Sequence, residues 1–397
     1  MRKSTSPSKA RKGLAVAAVP TAIAVGLALL PNATAQSSVG DLSSAIGGDS
    51  SLSDHFAPKD PPARTPLNTE YPDVKGLPEG VKINRVEYLT NRHLMVYIKS
   101  AAMPDKEQKV QIQLARDWYS HPEKKFPEVW ALDGLRARDD ESGWTIETNI
   151  LNQYADRNVN LVMPVGGESS FYSDWQQPDA GKNYKWETFL TKELVPILDH
   201  EYRSNQKRAV TGLSMGGTAA VNLAERNPHL FDFVGSFSGY LDMTTRGMPQ
   251  AIMAAQRDAG GYDSRKMWGE PGSQDWIDHD PKLGIENLKD MTVYVSAGSG
   301  RDDFGNPESV AKGQANMAGV GLEAISRMST QTFVDYAKRA GAKLRLPVRD
   351  FSCSGAVSMS RGPQIFQQVD AAIRSGALSP ATNRVVITTG FNDTYNH

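Results

Sequence analysis

The 397-residue sequence is poor in the residues that build several common kinds of site. Its single cysteine, Cys353, excludes an intramolecular disulfide. Its 44 lysines and arginines are balanced by 45 aspartates and glutamates, and the lack of a basic surplus argues against a nucleic-acid partner. There is no phosphate-binding loop, no dinucleotide fingerprint and no histidine–cysteine cluster, so we expect neither a cofactor nor a bound metal.

The N-terminus has the pattern of an export signal. Lysines and arginines precede a mainly apolar run at residues 14–30, and an A-x-A motif follows at residues 33–35. This order predicts a signal peptide over residues 1–35, cleavage near Gln36, and a mature protein that is secreted or held in the cell envelope. An uncleaved membrane anchor is the alternative, which Pro20 and the shortness of the run disfavour.

The rest of the chain divides into three parts by composition. Residues 36–80 are rich in Ser, Gly, Asp and Pro, which predicts a flexible lead-in that cannot bury enough apolar surface to become ordered. Residues 81–376 alternate short apolar runs with segments of helical spacing, which predicts an α/β domain with a mostly parallel sheet and helices on both faces. Residues 377–397 are polar and form a predicted tail. The predicted strands are 86–89, 94–98, 110–114, 129–132, 159–163, 208–210, 233–237, 293–296 and 343–351, and the predicted helices 184–202, 218–226, 311–340 and 363–373.

A serine motif stands between a predicted strand and a predicted helix. Residues 212–216 read G-L-S-M-G, which is the G-x-S-x-G pattern of a nucleophile elbow centred on Ser214. Such a turn lifts a serine hydroxyl above the end of a sheet, where a neighbouring base can take its proton. The alternative is a glycine-rich turn in which Ser214 only caps the helix.

Four further segments carry a wider resemblance. They read L-D-G-L-R-A-R-D-D at residues 132–140, M-P-V-G-G-E-S-S-F-Y-S-D-W at 163–175, Y-K-W-E-T-F-L at 184–190, and G-G-Y followed by M-W-G within 260–269. These segments resemble, in the same order, those of the mycolyltransferases of the antigen-85 type and their corynebacterial relatives. The resemblance runs from about residue 86 to residue 373, most of the chain that follows the export signal.

The resemblance implies an α/β-hydrolase fold and a secreted acyltransferase of the cell envelope. Such enzymes take a mycolyl chain from trehalose monomycolate onto a serine and pass it to another sugar or to the arabinogalactan of the wall. Trehalose mycolate glycolipids and arabinogalactan are therefore the expected partners.

The resemblance also assigns roles to single residues. Ser214 is similar to the family nucleophile, and the backbone N–H groups of Leu135 and Met215 resemble its oxyanion hole, whose donors stabilise the charge of a tetrahedral intermediate. Asp133 and Arg136 resemble the trehalose-contacting pair. A carboxylate and a guanidinium suit a sugar, because each offers several directed hydrogen bonds to hydroxyl groups. The alternative for these last two residues is a structural ion pair on a loop.

Four acidic residues are further candidates for the expected site. Glu323 resembles the acidic member of the family's catalytic group on a long helix, with a solvated helix glutamate as the alternative. Asp242 matches a substrate-contact position. Asp302 and Asp303 follow a predicted strand at the usual place of the acid in ordinary α/β-hydrolases, and an acid there would favour a secreted carboxylesterase.

The pattern breaks at the family's catalytic histidine. Residues 355–359 read G-A-V-S-M where the family has G-T-H-S-W, so that Val357 takes the histidine position and Met359 the tryptophan position. A valine can neither accept nor deliver a proton, and loss of the histidine alone costs a serine triad about 10⁶-fold in turnover. The other histidines after Ser214 are poor substitutes, because His229 should lie at the far end of the elbow helix, His279 in a surface loop, and His397 on the tail.

Three functions remain open from the sequence. The first is a mycolyltransferase that is slow or uses an unusual base. The second is a catalytically degenerate relative that binds a mycolate glycolipid or an envelope partner without turnover. The third is a secreted carboxylesterase, which is the weakest because it needs the missing histidine as much as the first does.

Overall fold

A nine-stranded sheet forms the centre of the described part of the protein, which in this computed structural model comprises residues 67–298 and 314–344. The strands lie in the order β1-β2-β3-β4-β6-β5-β7-β8-β9. Their bounds are β1 Leu67–Glu70, β2 Lys82–Tyr88, β3 His93–Lys99, β4 Gln108–Gln113, β5 Phe126–Leu132, β6 Asn160–Val165, β7 Ser204–Leu213, β8 Phe233–Phe237 and β9 Thr292–Ser296.

The sheet is mixed, and its two halves differ in strand direction. Strands β1 to β4 form an antiparallel meander that joins β6 in antiparallel fashion, whereas β6, β5, β7, β8 and β9 are parallel. The carboxyl ends of the parallel strands therefore share one edge of the sheet, which is where open α/β sheets place their ligands. The predicted α/β architecture is confirmed, although its sheet is mixed.

Helices cover both faces of this sheet. Trp130 of β5 belongs to a large apolar cluster with residues of α5, while its neighbour Val129 belongs to a smaller cluster packed against Trp144 of α1. Alternation along the strand thus fills two separate cores. The helices are α1 Gly143–Glu147, α2 Ile150–Tyr154, α3 Trp186–Thr188, α4 Val195–Glu201, α5 Met215–Arg226, α6 Met248–Gly260, α7 Ser264–Trp268, α8 Gln274–Asp278, α9 Pro281–Gly284 and α10 Gln314–Leu344.

The predicted flexible lead-in over residues 36–80 is wrong in its last part. Strand β1 already pairs with β2, and the hydroxyl of Tyr71 donates a 2.5 Å hydrogen bond to Glu201 at the end of α4. Tyr71, Val74 and Leu77 also pack against the core. The average composition of the segment concealed these three apolar anchors, and a four-residue edge strand needs little periodicity to form.

Three of the four predicted helices, 184–202, 218–226 and 311–340, fall on helices of the structure, with two differences. The segment 184–202 forms α3 and α4 with a π-helical turn, Phe189–Leu194, between them. Helix α10 ends at Leu344, so the first two residues of the predicted strand 343–351 are helical. The rest of that strand, the predicted helix 363–373 and the predicted signal peptide lie outside the described residues. In the part that is described, no helix has the length and apolarity to cross a membrane.

Candidate active site

Ser214 occupies a strained turn between the last residue of β7 and the first residue of α5. Its backbone is at φ 53° and ψ −118°, a conformation that costs a residue other than glycine on the order of 1–3 kcal/mol. The Ser214 N–H donates a 2.7 Å hydrogen bond to the carbonyl oxygen of Phe237 on β8, which holds the turn in this shape. The side chain makes no capping hydrogen bond to α5, so the geometry favours an elbow over a helix cap.

Glycines bring the loop after β5 against this turn. A Cβ atom at Gly216 would lie 2.5 Å from the carbonyl oxygen of Asp133, so only glycine lets α5 begin this close to that loop. A Cβ atom at Gly134 would lie 3.8 Å from the Cβ atom of Ser214. The loop that carries Leu135 is therefore a direct neighbour of the serine.

The two predicted oxyanion-hole residues flank Ser214 and are held by the loop after β6. The carbonyl oxygen of Leu135 accepts a 2.8 Å hydrogen bond from the Ser169 N–H, and the sulfur of Met215 accepts one of 3.2 Å from the Phe171 N–H. Among the described residues, the N–H groups of Leu135 and Met215 have no acceptor. Since Met215 opens α5, its N–H also lies at the positive end of the helix dipole, which suits an oxyanion.

Asp133 is buried beneath the loop and points into the protein. Its side chain is 3% exposed and accepts hydrogen bonds from the Ser142 hydroxyl, at 3.2 Å, and from the Gly143 N–H, at 2.9 Å. Burial raises the pKa of Asp133 to about 6, because these two bonds only partly replace water around the charged form. The carboxylate thus ties the start of α1 to the end of β5.

Arg136 lies on the surface of the same loop and contacts a different carboxylate. Its side chain is 54% exposed and forms a 2.6 Å ion pair with Asp258 on α6. The structure therefore brings Arg136 to the rim beside Leu135 but does not pair it with Asp133.

Glu323 on α10 reaches the carboxyl ends of β8 and β9. Its Oε1 atom accepts a 2.6 Å hydrogen bond from the Ser238 hydroxyl and a further bond from the Gly298 N–H. Ser238 directly follows the residue that accepts the Ser214 N–H, so this carboxylate lies near the elbow. Its assignment as the catalytic acid stays a prediction, and these two bonds argue against a merely solvated glutamate.

Asp242 is buried in an ion network rather than open to a ligand. Its Oδ1 atom is 2.6 Å from the ammonium nitrogen of Lys282 and accepts a 3.1 Å bond from the Thr245 N–H. Lys282 also pairs with Asp280, so one buried cation is shared by two carboxylates. This network anchors the loop after β8 to α9, and the proposed substrate contact of Asp242 stays a prediction.

Neither His229 nor His279, the two described histidines after Ser214, is placed to supply the missing base. The expectation that His279 lies in a surface loop is wrong, because its ring is buried, stacks on Trp268 with a centroid distance of 4.5 Å, and its Nδ1 atom lies 2.7 Å from the Asp275 carbonyl oxygen. Burial also lowers the pKa of His279, which favours its neutral form. His229 is exposed beyond the end of α5, at the opposite end from Ser214.

Several predicted positions cannot be placed. Asp302, Asp303, Val357, Met359 and His397 lie outside the described residues. Within the described ranges, no group of three or more His, Cys, Asp or Glu side chains is arranged to hold a metal ion.

Two polar residues that contact predicted site residues were missed from the sequence. Ser238 has φ 53° at the end of β8, and the S-G-Y that follows a buried strand next to the elbow strand could have signalled it. Asp258 gave no such signal, because a charged residue in an amphipathic helix is ordinarily a solvated one.

Comparison with known proteins agrees with this geometry. A family model named Esterase, described as "Putative esterase", matches residues 100–342. The crystal structure of MPT51 from Mycobacterium tuberculosis is similar with a TM-score of 0.53 and 27% sequence identity, covering 70% of this chain and 96% of that one. This similarity confirms the predicted α/β-hydrolase fold.

Two curated relatives are similar in sequence. The diacylglycerol acyltransferase/mycolyltransferase Ag85B of Mycobacterium intracellulare is 40% identical over 222 residues, which cover 54% of this chain and 65% of that protein. Ag85A of Mycobacterium tuberculosis is 40% identical over 240 residues, covering 58% of this chain and 68% of that protein. The match thus spans about two thirds of the length of these relatives.

Proposed function

The chain belongs to the esterase family, with an antigen-85-like esterase fold, and from this membership we propose that it is an acyltransferase of the mycolyltransferase type. The observation that carries the proposal is the strained turn of Ser214 beside the N–H groups of Leu135 and Met215. The donor would be trehalose monomycolate, and the acceptor trehalose or arabinogalactan. Residues 1–35 would direct export, so that the protein acts in the cell envelope.

The proposed reaction has two steps on Ser214. The serine oxygen attacks the ester carbonyl of the donor, and the N–H groups of Leu135 and Met215 stabilise the oxyanion until the trehalose oxygen leaves with a proton. A hydroxyl of the acceptor then attacks the acyl-Ser214 ester and releases the serine. Glu323 would orient the base that moves the proton, and Val357 means that this base is not the family histidine.

A catalytically degenerate homologue is the second candidate. The observation that favours it is the replacement of histidine and tryptophan by Val357 and Met359, while Ser214 keeps its strained turn. Such a protein would bind mycolate glycolipid, or an envelope partner, without turnover. The secreted carboxylesterase is disfavoured, because it needs a base as much as the transferase does.

Intact-protein mass spectrometry distinguishes the first two candidates. The mature protein and a Ser214→Ala variant are incubated with trehalose monomycolate, and the mass of each is measured before and after addition of trehalose. The transferase predicts one mycolyl adduct on the unaltered protein alone, which trehalose discharges. Glycolipid binding without an adduct contradicts the transferase and supports the degenerate homologue.

A further inference from the structure

The loop after β6 contacts both residues of the predicted oxyanion hole, and its backbone is strained where it does so. The Ser169 N–H donates to the carbonyl oxygen of Leu135 at 2.8 Å, and the Phe171 N–H donates to the sulfur of Met215 at 3.2 Å. Ser169 has φ 57° and Phe171 has φ 50°, in the left-handed region that residues other than glycine seldom adopt. Such a conformation persists only where surrounding contacts maintain it.

A side chain of helix α6 supplies one of these contacts at Ser169. The amide of Gln256 is buried, and its Nε2 atom donates a 2.5 Å hydrogen bond to the carbonyl oxygen of Ser169. The hydroxyl of Ser169 is buried and has no partner among the described residues, so it does not fix the turn. Ser169 is therefore held through its backbone on both sides, by Gln256 at its carbonyl and by Leu135 at its N–H.

Gln256 is itself held in one orientation. Its Oε1 atom accepts a hydrogen bond from the hydroxyl of Ser264 at the start of α7, and its Nε2 atom lies 3.4 Å from the sulfur of Met267. Because a carbonyl oxygen can only accept, the amide nitrogen must face Ser169, and the amide oxygen then faces Ser264. A series of buried hydrogen bonds thus leads from α7 through Gln256 and Ser169 to Leu135.

We propose that Gln256 is a positioning residue for the oxyanion hole. By fixing Ser169 it fixes Leu135, and with it the direction of the Leu135 N–H beside Ser214. Donors stabilise an oxyanion best when they are aimed before the charge develops, because they then need no reorganisation during the reaction. This inference rests on the proposed function, since it names a side chain that sets the geometry in which the acyl-transfer intermediate is stabilised.

A boronic acid tests the oxyanion hole without help from a base. The Ser214 oxygen bonds to boron, the serine proton passes to the solvent, and boron becomes tetrahedral and negatively charged, as in analogues of an acyl-transfer transition state. The dissociation constant of this adduct is an equilibrium quantity, so it does not depend on how fast a base moves the proton. The missing histidine therefore does not prevent the measurement.

The probe is octylboronic acid, titrated into the mature protein by calorimetry, with boron NMR to detect tetrahedral boron. Each protein is also measured with Ser214→Ala added, which leaves only the non-covalent affinity. The dissociation constant with Ser214→Ala, divided by that with Ser214 intact, is the adduct ratio. A variant that only changes how the alkyl chain binds does not alter this ratio.

Gln256→Met removes the hydrogen bonds of the amide at nearly constant volume. We expect it to lower the adduct ratio at least about tenfold, a part of the roughly 10²–10³-fold that loss of a whole oxyanion donor costs. Ser264→Ala keeps the amide of Gln256 but removes the hydroxyl that orients it, so we expect a smaller reduction, about threefold. If Gln256→Met does not fold, Ser264→Ala decides the question.

Asn160 offers a matched control, because it is a second buried amide and lies at the opposite end of β6 from the loop. Its Oδ1 atom accepts a 3.0 Å bond from the Ala115 N–H, and its Nδ2 atom donates a 2.7 Å bond to the carbonyl oxygen of Tyr202. Asn160→Leu also removes buried hydrogen bonds, so its melting temperature should fall as that of Gln256→Met does. Its adduct ratio should stay within about twofold of the unaltered protein, because distant sites act independently.

The outcomes separate this inference from the proposed function. If the unaltered protein and Ser214→Ala bind octylboronic acid equally, Ser214 forms no adduct, so the proposed function is wrong and the inference falls with it. If the adduct forms and neither Gln256→Met nor Ser264→Ala lowers the adduct ratio, the inference alone is wrong. An equal reduction by Asn160→Leu also contradicts it, because the effect would then come from lost stability rather than from the position of Leu135.

Discussion

At Ser214 the backbone adopts a conformation that costs stability, and neighbouring contacts are arranged to maintain it. The Phe237 carbonyl oxygen fixes the Ser214 N–H, and Gly216 removes the side chain that would collide with the loop after β5. Strain of this kind is typical of functional sites. By the family resemblance, Val357 and Met359 replace a histidine and a tryptophan, whereas Ser214 keeps the strained turn of a nucleophile elbow. A histidine should therefore restore activity if the acceptor and donor sites are preserved.

We expect Val357→His to raise the rate of mycolyl transfer by about 10²–10⁴-fold, the usual contribution of a positioned general base. The gain should be lost below about pH 6.5, where an ordinary histidine becomes protonated. The rate of transfer from trehalose monomycolate to trehalose, measured from pH 5 to pH 9, checks this, with Ser214→Ala in the same background as control. An unchanged rate, also with Met359→Trp added, would mean that the rest of the pocket no longer supports turnover.

The buried carboxyl of Asp133 makes a separate prediction about stability and pH. Its pKa is about 6 in the folded protein against an ordinary value of 3.8, so between these values the folded protein holds a proton that the unfolded chain has lost. The stabilisation is present below pH 3.8 and is lost as the pH rises through 6. Relative to Asp133→Asn, the unaltered protein should lose about 3 kcal/mol between pH 3.5 and pH 7. Urea unfolding of both proteins at the two pH values tests this, and parallel pH profiles would contradict it.

At the scale of elements, the site depends on how α10 rests on the carboxyl ends of β8 and β9. Besides Glu323, the hydroxyl of Ser326 donates a 3.1 Å hydrogen bond to the Gly239 carbonyl oxygen, and Leu241 N–H donates one of the same length to Ser329. These polar contacts set the position of the helix, while apolar burial stabilises it. The aromatic ring that α10 inserts into the large core is that of Phe333.

Phe333→Ala should lower the free energy of unfolding by about 3–5 kcal/mol, because the ring is 2% exposed and its loss leaves a cavity. The matched control is Met328→Ala on the same helix, whose side chain is 58% exposed and should change stability by less than about 0.5 kcal/mol. Denaturant unfolding monitored by circular dichroism measures both. Similar losses in the two variants would show that α10 is not held by its buried face.

At the scale of the whole molecule, the parallel strands position the residues of the candidate site, and the antiparallel meander extends the sheet beside them. Loops that follow β5, β6, β7, β8 and β9 bring together groups far apart in sequence, because all these strands end at one edge. The meander β1 to β4 extends the sheet on the other side and covers part of the core. The segment from residue 67 to residue 80 is therefore a part of the domain rather than a lead-in.

A chain that starts at residue 81 should melt at least about 5 °C below one that starts at residue 67. The shorter chain loses β1 and the packing of Tyr71, Val74 and Leu77, whose partial burial contributes on the order of 2–3 kcal/mol. Thermal unfolding of the two chains compares them directly. Equal melting temperatures would contradict this prediction and would support the expectation from sequence that residues 67–80 belong to a flexible lead-in.

The sequence by itself determined most of the strands and indicated Ser214 as the centre of the predicted chemistry. Apolar runs and helical spacing are local properties, so the strands around the elbow and the helix after it were predictable, and G-x-S-x-G identified Ser214 because that turn needs small residues at fixed positions. The family resemblance then supplied Leu135, Met215 and Glu323, which the structure brings near Ser214.

Only the tertiary structure decided which charged groups lie on the surface and which are buried. Asp133 and Arg136 are three residues apart, yet one carboxylate is buried against α1 while the guanidinium reaches across the surface to Asp258 on α6. His279 likewise turned inward onto Trp268. The Arg136–Asp258 ion pair joins residues 122 apart in sequence, and no local pattern in the sequence records that they will meet.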